Sequence, residues 1–287
     1  MPADELTDSA LELSPESFAR FAKFITGHLG IKMSDAKIPM LQSRLMRRLR
    51  ELQLNSLDEY RRYLFEGPDT ENEHVHFIDA VTTNKTDFFR EPQHFDYLVN
   101  TILPGVLASE RNRAAVRFRL WCAGCSSGEE PYTQAMVLSD FAAKHPGFDY
   151  GILATDISTR VLTHARAGIY DVSRIEPVPE AFRQSYLLRS KDKTKHVVRI
   201  VPHLREKISF HRLNFMDNEY RVKDMFDAIF FRNVMIYFDK PTQEAVIRKL
   251  CRHLKTGGYL FVGHSESLAG LDVPVTPLGS AVFRKVL

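Results

Sequence analysis

The sequence predicts two parts: a small all-α domain over residues 1–84, then an α/β domain with a doubly wound sheet over residues 85–287. Three observations carry this. Before residue 84, apolar residues recur at helical spacing with no strand-like alternation. After Arg90, short apolar runs alternate with helical stretches, the pattern of a parallel sheet with helices on both faces. Residues 170–207 break that alternation with Pro177, Pro179, a charged stretch from Arg189 to Lys195 and the run Val197-Val-Arg-Ile-Val201, which predicts an inserted antiparallel hairpin.

Length and composition fit that division. The chain has 287 residues, roughly two domains at ~150 residues each. With 44% hydrophobic and 26% charged residues it is neither a disordered chain nor a coiled-coil rod. Gly and Pro number only 14 each, which excludes a collagen and a long flexible linker. No apolar run approaches the ~20 residues that span a bilayer, so no membrane insertion is expected. The acidic start, with Asp4, Glu5, Asp8 and Glu12, lacks the basic and apolar stretches of a secretory signal. The first ~13 residues are expected to lie outside the fold. Cys122, Cys125 and Cys251 form an odd, small set, which argues for a reducing cytosol and a cytoplasmic location.

In the helical part, Ser14 followed by Pro15 and Glu16 reads as an N-cap with proline at the first position. Phe18, Phe21, Ile25 and Leu29 then recur at helical spacing until Gly30. A second helix is expected after Ser34-Asp35, with the stripe Leu41, Leu45, Leu49 and Leu52. A third follows Asn55-Ser56 and stops at Gly67-Pro68; a fourth runs through Val75, Ile78 and Val81. In the second part, strands are predicted at Val116 to Trp121, Tyr150 to Ala154, Ile208 to Phe215, Phe226 to Phe231 and Tyr259 to Val262. Helices are predicted at Pro131 to Ala143, from Ser158 to Ala167, and at Thr242 to Leu254 ahead of Gly257-Gly258. The tail around Gly279 supplies two final strands.

The loop Cys122-Ala-Gly-Cys-Ser-Ser-Gly-Glu-Glu130 joins the first strand to its helix. Ligands of doubly wound sheets bind beyond the carboxyl ends of the strands, and small residues let the backbone approach them closely. Asp156 ends the next strand, where a carboxylate can accept from both ribose hydroxyls. These residues point to a nucleotide-like ligand with an unphosphorylated ribose; they also make an ordinary tight turn and helix cap. A dinucleotide fingerprint needs G-x-G-x-x-G, whereas this loop has only Gly124 and Gly128. Glu129 and Glu130 at the helix start would repel a pyrophosphate. Asp156 also lies 32 positions after Gly124, against roughly 20 in that motif. S-adenosylmethionine, with a sulfonium, an ammonium and no phosphate, matches the acids and the missing glycines.

Cys122-Ala-Gly-Cys125 has rival readings: a redox pair, half a zinc site, or small cysteines packed in a turn. Cys251 is too little to complete a zinc site, and the histidines are scattered. His74 and His76, two apart on a helix, do not face one another, so no metal is expected. Net charge is only +3, but Lys37 to Arg62 is locally basic. Arg44, Arg47 and Arg48 share a face of the second helix away from its leucines. Such a face suits nucleic acid, anionic lipid or an acidic protein surface.

Several motifs in order resemble the chemoreceptor methyltransferases, the CheR family. They are Asn84-Lys-Thr-Asp-Phe-Phe-Arg90, Ala123-Gly-Cys-Ser-Ser-Gly-Glu-Glu-Pro-Tyr132, Ala154-Thr-Asp-Ile157, Phe226-Asp-Ala-Ile-Phe-Phe-Arg-Asn-Val-Met-Ile-Tyr-Phe238 and Gly263-His-Ser-Glu-Ser267. The resemblance covers about residues 14–285. It implies a Rossmann-like S-adenosylmethionine-dependent methyltransferase domain with a small β-subdomain behind a helical domain. It implies methyl transfer to glutamates on the cytoplasmic helices of bacterial chemoreceptors, with S-adenosylhomocysteine as product. By matching position, Asn84, Thr86 and Arg90 would hold the methionine end, Arg90 on its carboxylate. Glu129 or Glu130 would face the cofactor, and Asp156 would bind the ribose. Leu213 and Asn214 would border the adenine, and Arg232 and Asn233 the floor near the sulfonium. Arg90 and Tyr237 would serve the reaction, Tyr237 by orienting the substrate. The stretch Ser190 to His196 lacks the glycines that serve receptor-tail docking in some members.

A glutamate carboxylate, with an ordinary pKa of ~4.3, is already a nucleophile at neutral pH. The absence of a catalytic His or Cys arrangement is then no defect. With a Glu-rich helix as substrate, Arg44, Arg47 and Arg48 become the expected docking face. The expected partner is the receptor and not nucleic acid, and the enzyme is expected to act as a monomer. The competing expectation is a methyltransferase of RNA or of another protein. The basic helix, however, lacks interleaved aromatics for base stacking.

Overall fold

The computed structural model describes residues 12–110, 112, 114–192, 194–279 and 281–286. Most of the segment expected outside the fold lies outside these residues. Its last residue, Leu13, is buried in the helical core instead.

Four helices build the first domain: α1 Pro15–Leu29, α2 Ile38–Leu52, α3 Leu57–Glu66 and α4 Thr70–Val81. Ser14 caps α1 by accepting from the Ser17 N–H. Gly30 ends it at φ 67°. A Cβ there would lie 2.5 Å from Met216 Sδ, so both the turn and the neighbour require glycine. Ser34 opens a 3-10 turn, Asp35–Lys37, and α2 starts only at Ile38. Leu41, Leu45 and Leu49 are fully buried against Phe21, Tyr60 and Phe77, whereas Leu52 is half-buried at the helix end.

The sequence pattern left residues 91–115 unread. They form α5 Gln93–Tyr97, a π-helical turn Leu98–Ile102 and α6 Leu103–Ser109, whose Phe95, Leu98 and Ile102 cover one face of the sheet. The alternation then runs β1 Val116–Ala123, α7 Glu129–Lys144, β2 Phe148–Asp156 and α8 Thr159–Ala167. The insertion holds β3 Ile169–Asp171, α9 Glu180–Tyr186, β4 Leu187–Arg189 and β5 Val197–Ile200. After α10 Pro202–Arg205 come β6 Ile208–Arg212, β7 Phe226–Phe230, α11 Lys240–Arg252, β8 Leu254–Phe261, β9 Val275–Gly279 and β10 Val282–Lys285.

Among the described residues the main sheet has seven strands in the order β6-β2-β1-β7-β8-β10-β9. The first five are parallel; β10 runs antiparallel to β8 and β9. Two expectations are corrected. The insertion is a three-stranded antiparallel sheet, β3-β5-β4, not a lone hairpin. The strand expected to reach Phe215 stops at Arg212, because the next residues turn back toward the helical domain: Asn214 Nδ2 donates to the His28 carbonyl at 2.8 Å.

The helical domain is fastened over the carboxyl ends of the strands. Asp79 of α4 accepts from Thr159 Oγ1 at 2.8 Å and from the Arg160 N–H at 3.2 Å, at the start of α8. The Lys32 N–H donates to the Tyr237 carbonyl at 3.0 Å.

Candidate functional site

Beneath that seam the ends of β1, β2 and β7 open into a cavity of about 360 Å³ walled by both domains. The loop after β1 is built to let a ligand close. Gly124 sits at φ 87°, and a Cβ on it would meet Val234 Cγ2 at 2.6 Å. Gly128 sits at φ 101°, with Tyr170 Oη 2.7 Å from where a Cβ would stand. Side chains are therefore barred at both points, and at Gly124 the backbone itself forms part of the wall.

Asp156, at the end of β2, is buried at the cavity's edge. Its two oxygens accept from the Ser126 N–H at 2.8 Å and the Ser158 N–H at 3.0 Å. Burial lifts its carboxyl above the ordinary carboxylate range, and those backbone donors offset part of the rise. Ser126 Oγ donates to the Asn84 carbonyl at 2.8 Å, which joins this loop to the Asn84–Arg90 segment.

The question of which glutamate faces the cavity is resolved in favour of Glu130. It lines the space, and Arg232 Nη1 donates to its Oε2 at 2.9 Å. Glu129 turns the other way, almost fully buried, and pairs with Arg174 of the insertion at 2.9 Å. The expectation that it borders the cavity is corrected. Leu213 is corrected too: it does not line the cavity, its side chain packs into the cluster of Trp121 and Phe215, and its N–H donates to the Asp156 carbonyl. Asn84, Thr86, Arg90, Asp156, Asn214, Arg232, Asn233 and Tyr237 all line the cavity. Arg90 Nη1 donates to the Lys85 carbonyl at 3.3 Å.

Sequence reasoning missed Glu91 and Glu266, which fix the floor. Arg232 Nη2 is 3.1 Å from Glu91 Oε2, and Glu266 Oε2 accepts from the Asn233 N–H at 2.8 Å. It also missed the roof, made by Ile25, Leu29, Met33 and Met40 of the helical domain. No signal marks a roof, because an apolar face over a cavity has the same spacing as one over a core.

Cys122 and Cys125 are free and buried. Burial pushes both thiols well above their ordinary value, and Cys122 Sγ donates to Glu130 Oε1 at 3.3 Å. Thiolate chemistry is disfavoured here. Among the described residues, Glu91, His94 and His264 bring ligand-type atoms within 4.8 Å of one another. Separation in sequence hid this set. Arg232 Nη2 lies 3.1 Å from Glu91 Oε2, the oxygen that His94 Nδ1 approaches at 3.5 Å, so that carboxylate already has a counter-charge.

The basic face of α2 is not the free surface expected. Arg44 donates to the Val81 carbonyl and, at 2.7 Å, to Thr83 Oγ1, and it lines the cavity. Arg48 is drawn in by Glu73, 2.6 Å from its Nη2; Glu73 also accepts from Tyr60 Oη at 2.7 Å. Arg47 stays in solvent beside Glu51.

The family model described as "CheR methyltransferase, SAM binding domain" matches residues 84–282. The model described as "CheR methyltransferase, all-alpha domain" matches residues 16–82. A chemotaxis protein methyltransferase of Salmonella typhimurium is 39% identical over 275 residues, covering 95% of this chain and 91% of the relative. Proteins of the same name from Borreliella burgdorferi and Escherichia coli are each 38% identical, over 91% and 95% of this chain and 91% and 92% of their own lengths.

Proposed function

The chain belongs to the CheR methyltransferase family, and we propose that its cavity is where a methyl group passes to glutamate side chains on the cytoplasmic helices of chemoreceptors. The observation that carries this is the convergence of Asp156, Arg90 and the Arg232–Glu130 pair on one cavity beneath an apolar roof. S-adenosylmethionine supplies a methyl group on a positively charged sulfur.

The residues present suit that cofactor. The Asp156 carboxylate would accept from the ribose hydroxyls, and Asn214 would border the adenine. Arg90 would clamp the amino-acid carboxylate, with Asn84 and Thr86 beside it. The Gly124 turn leaves the backbone open to close approach. Arg232, fixed by Glu130 and Glu91, would form a rigid floor. Tyr237, with the exposed Ile236 at the cavity's edge, would orient the incoming side chain.

When bound, the cofactor would give its methyl group to a substrate carboxylate oxygen: the carbon–oxygen bond would form as the carbon–sulfur bond breaks, the electron pair staying on sulfur, to leave a methyl ester and S-adenosylhomocysteine. No proton moves, so the chain needs no general base. Its own contribution is positioning, which supplies roughly 7–11 kcal/mol in well-oriented systems. We read the protein as a cytoplasmic monomer that meets receptors at the membrane without entering it; none of its described helices is long and apolar enough to cross one.

The test is incubation with labelled S-adenosylmethionine and membranes bearing candidate receptors. Label should enter receptor protein and be released by mild base, as a methyl ester requires. Base-stable label, or label found in RNA, overturns the reading.

A further inference from the structure

The insertion packs against the main domain through Tyr170 and Phe182, and one of its arginines bonds both the Thr86–Asp87 segment and the start of α7. Arg174 stands in the 3-10 turn Val172–Ile175 directly after β3. Its Nη2 donates to the Thr86 carbonyl at 2.5 Å and to Glu129 Oε1 at 2.9 Å. Its Nη1 lies 3.1 Å from Asp87 Oδ1. Thr86 is cavity wall, while Glu129 begins α7 beside Glu130, which faces the cavity from the same helix turn. One residue before β3 ends, Tyr170 donates to the Ser127 carbonyl at 2.7 Å, so the same segment also underpins the loop after β1.

The chemistry makes this arginine more than a brace. The Glu129 side chain is 2% exposed. Besides Arg174, Ser127 Oγ donates to its Oε2 at 2.7 Å. A buried carboxylate without a counter-charge is costly. Asp87 adds a second negative charge on the other side of the same guanidinium. Without the guanidinium, two carboxylates and a carbonyl would face one another. The half-exposed Thr86–Asp87 segment, rather than the buried Glu129 at the start of α7, would yield, and the cavity wall would open there.

We propose that Arg174 is a positioning residue for the methyl transfer: from the insertion, it holds the Thr86–Asp87 segment against the start of α7 and thereby sets cofactor affinity. Arg174 does not line the cavity and touches no reacting atom. The proposal rests on the reading of that cavity as the cofactor site. It makes the small sheet a mechanical part of that site.

Calorimetry with S-adenosylhomocysteine tests it. Arg174→Gln should raise the Kd about tenfold, the weight of one charge-assisted hydrogen bond. The KM for S-adenosylmethionine should rise in step, while kcat at saturation stays near wild type. The double variant Arg174→Gln/Glu129→Gln removes the stranded charge and should recover most of the affinity. Arg183→Gln serves as a control in the same insertion. Its guanidinium donates to the carbonyls of Val178 and Glu176 within that insertion, so the Kd should not move. Arg174→Lys keeps the charge but loses the fork and should fall between wild type and the glutamine variant. It carries the test if the glutamine variant fails to fold. Wild-type affinity in Arg174→Gln, or in Arg174→Lys where only that variant folds, overturns the proposal. So does a double variant no better than the single. A wild-type chain that does not bind S-adenosylhomocysteine overturns the reading of the cavity itself.

Discussion

Arg232 Nη1 donates to Glu130 Oε2 at 2.9 Å, and both side chains stand on the floor of the cavity. The sequence pattern offered Glu130 as a free acid awaiting a cationic ligand. The structure makes it one arm of a Glu91–Arg232–Glu130 network, fully buried at its centre. The floor is thus held in shape before any ligand arrives, as a site working by positioning requires.

Glu91 gives this network a pH signature. Burial works to raise its carboxyl, but Arg232 and the Asn233 amide outweigh burial and hold it below the ordinary value of 4.5. A depressed value means the ionised form stabilises the fold. That stabilisation is complete above the unfolded value and is lost as pH falls through the depressed one. Glu91→Gln should therefore melt below wild type at neutral pH, and the two curves should converge well below pH 4.5. Melting temperatures across a pH series decide this; a gap that stays constant into acid would show that Arg232 does not set the Glu91 charge.

Asp156→Ala should weaken S-adenosylhomocysteine binding by at least about tenfold, since a charge-assisted hydrogen bond contributes ~1.5–3 kcal/mol. The wild-type chain should show no tight binding of NAD, whose pyrophosphate finds no glycine-rich cradle at Gly124. Calorimetry with both ligands checks the two statements together, and tight NAD binding would remove the cofactor assignment.

The cysteines make a sharper contrast. Burial raises both the Cys122 and Cys125 thiols, so little thiolate is present at neutral pH. Cys125→Ser should keep most of the methyltransferase activity, and iodoacetamide should modify the native protein at Cys122 and Cys125 far more slowly than the unfolded chain. Loss of turnover with intact cofactor binding would return these thiols to the chemistry.

What the sequence revealed, and what it hid, follows from the range of each interaction. Helix caps and breaks such as Ser14 and Gly30 are local, and their positions hold in the structure. The parallel strands follow from local apolar runs, and Asp156 stands at a strand end as read. Long-range pairing escaped. Nothing near Glu91 announces Arg232, and nothing near Arg48 announces Glu73. The helical pattern placed Arg48 away from the leucines, which is true of the helix but not of the domain. Glu129 and Glu130 are neighbours at one helix start, and only the tertiary positions of Arg174 and Arg232 separate their roles. The stretch 91–115 went unread because its helices are short and interrupted by a π-helical turn.

Arg47 and Arg48 of α2 now part company, and a pair of reversals separates docking from folding. Arg48 bonds Glu73, whose side chain is 2% exposed, and breaking a buried pair costs ~3–5 kcal/mol. Arg48→Glu sets one carboxylate against another and should unfold the helical domain at a markedly lower temperature. A fall in receptor methylation in that variant would then report lost structure. Arg47 is 79% exposed and pairs with Glu51 across one helical turn, a pair worth ~0.3–0.5 kcal/mol. Arg47→Glu should melt within about 0.5 kcal/mol of wild type and bind S-adenosylhomocysteine unchanged. If the face steers an acidic receptor helix, the same variant should methylate receptors more slowly at low salt. The difference should shrink as salt screens the attraction. Initial rates at low and high salt, with melting curves alongside, check both halves. A wild-type methylation rate in Arg47→Glu at low salt would leave Arg47 as a solvated charge and place receptor docking elsewhere on the chain.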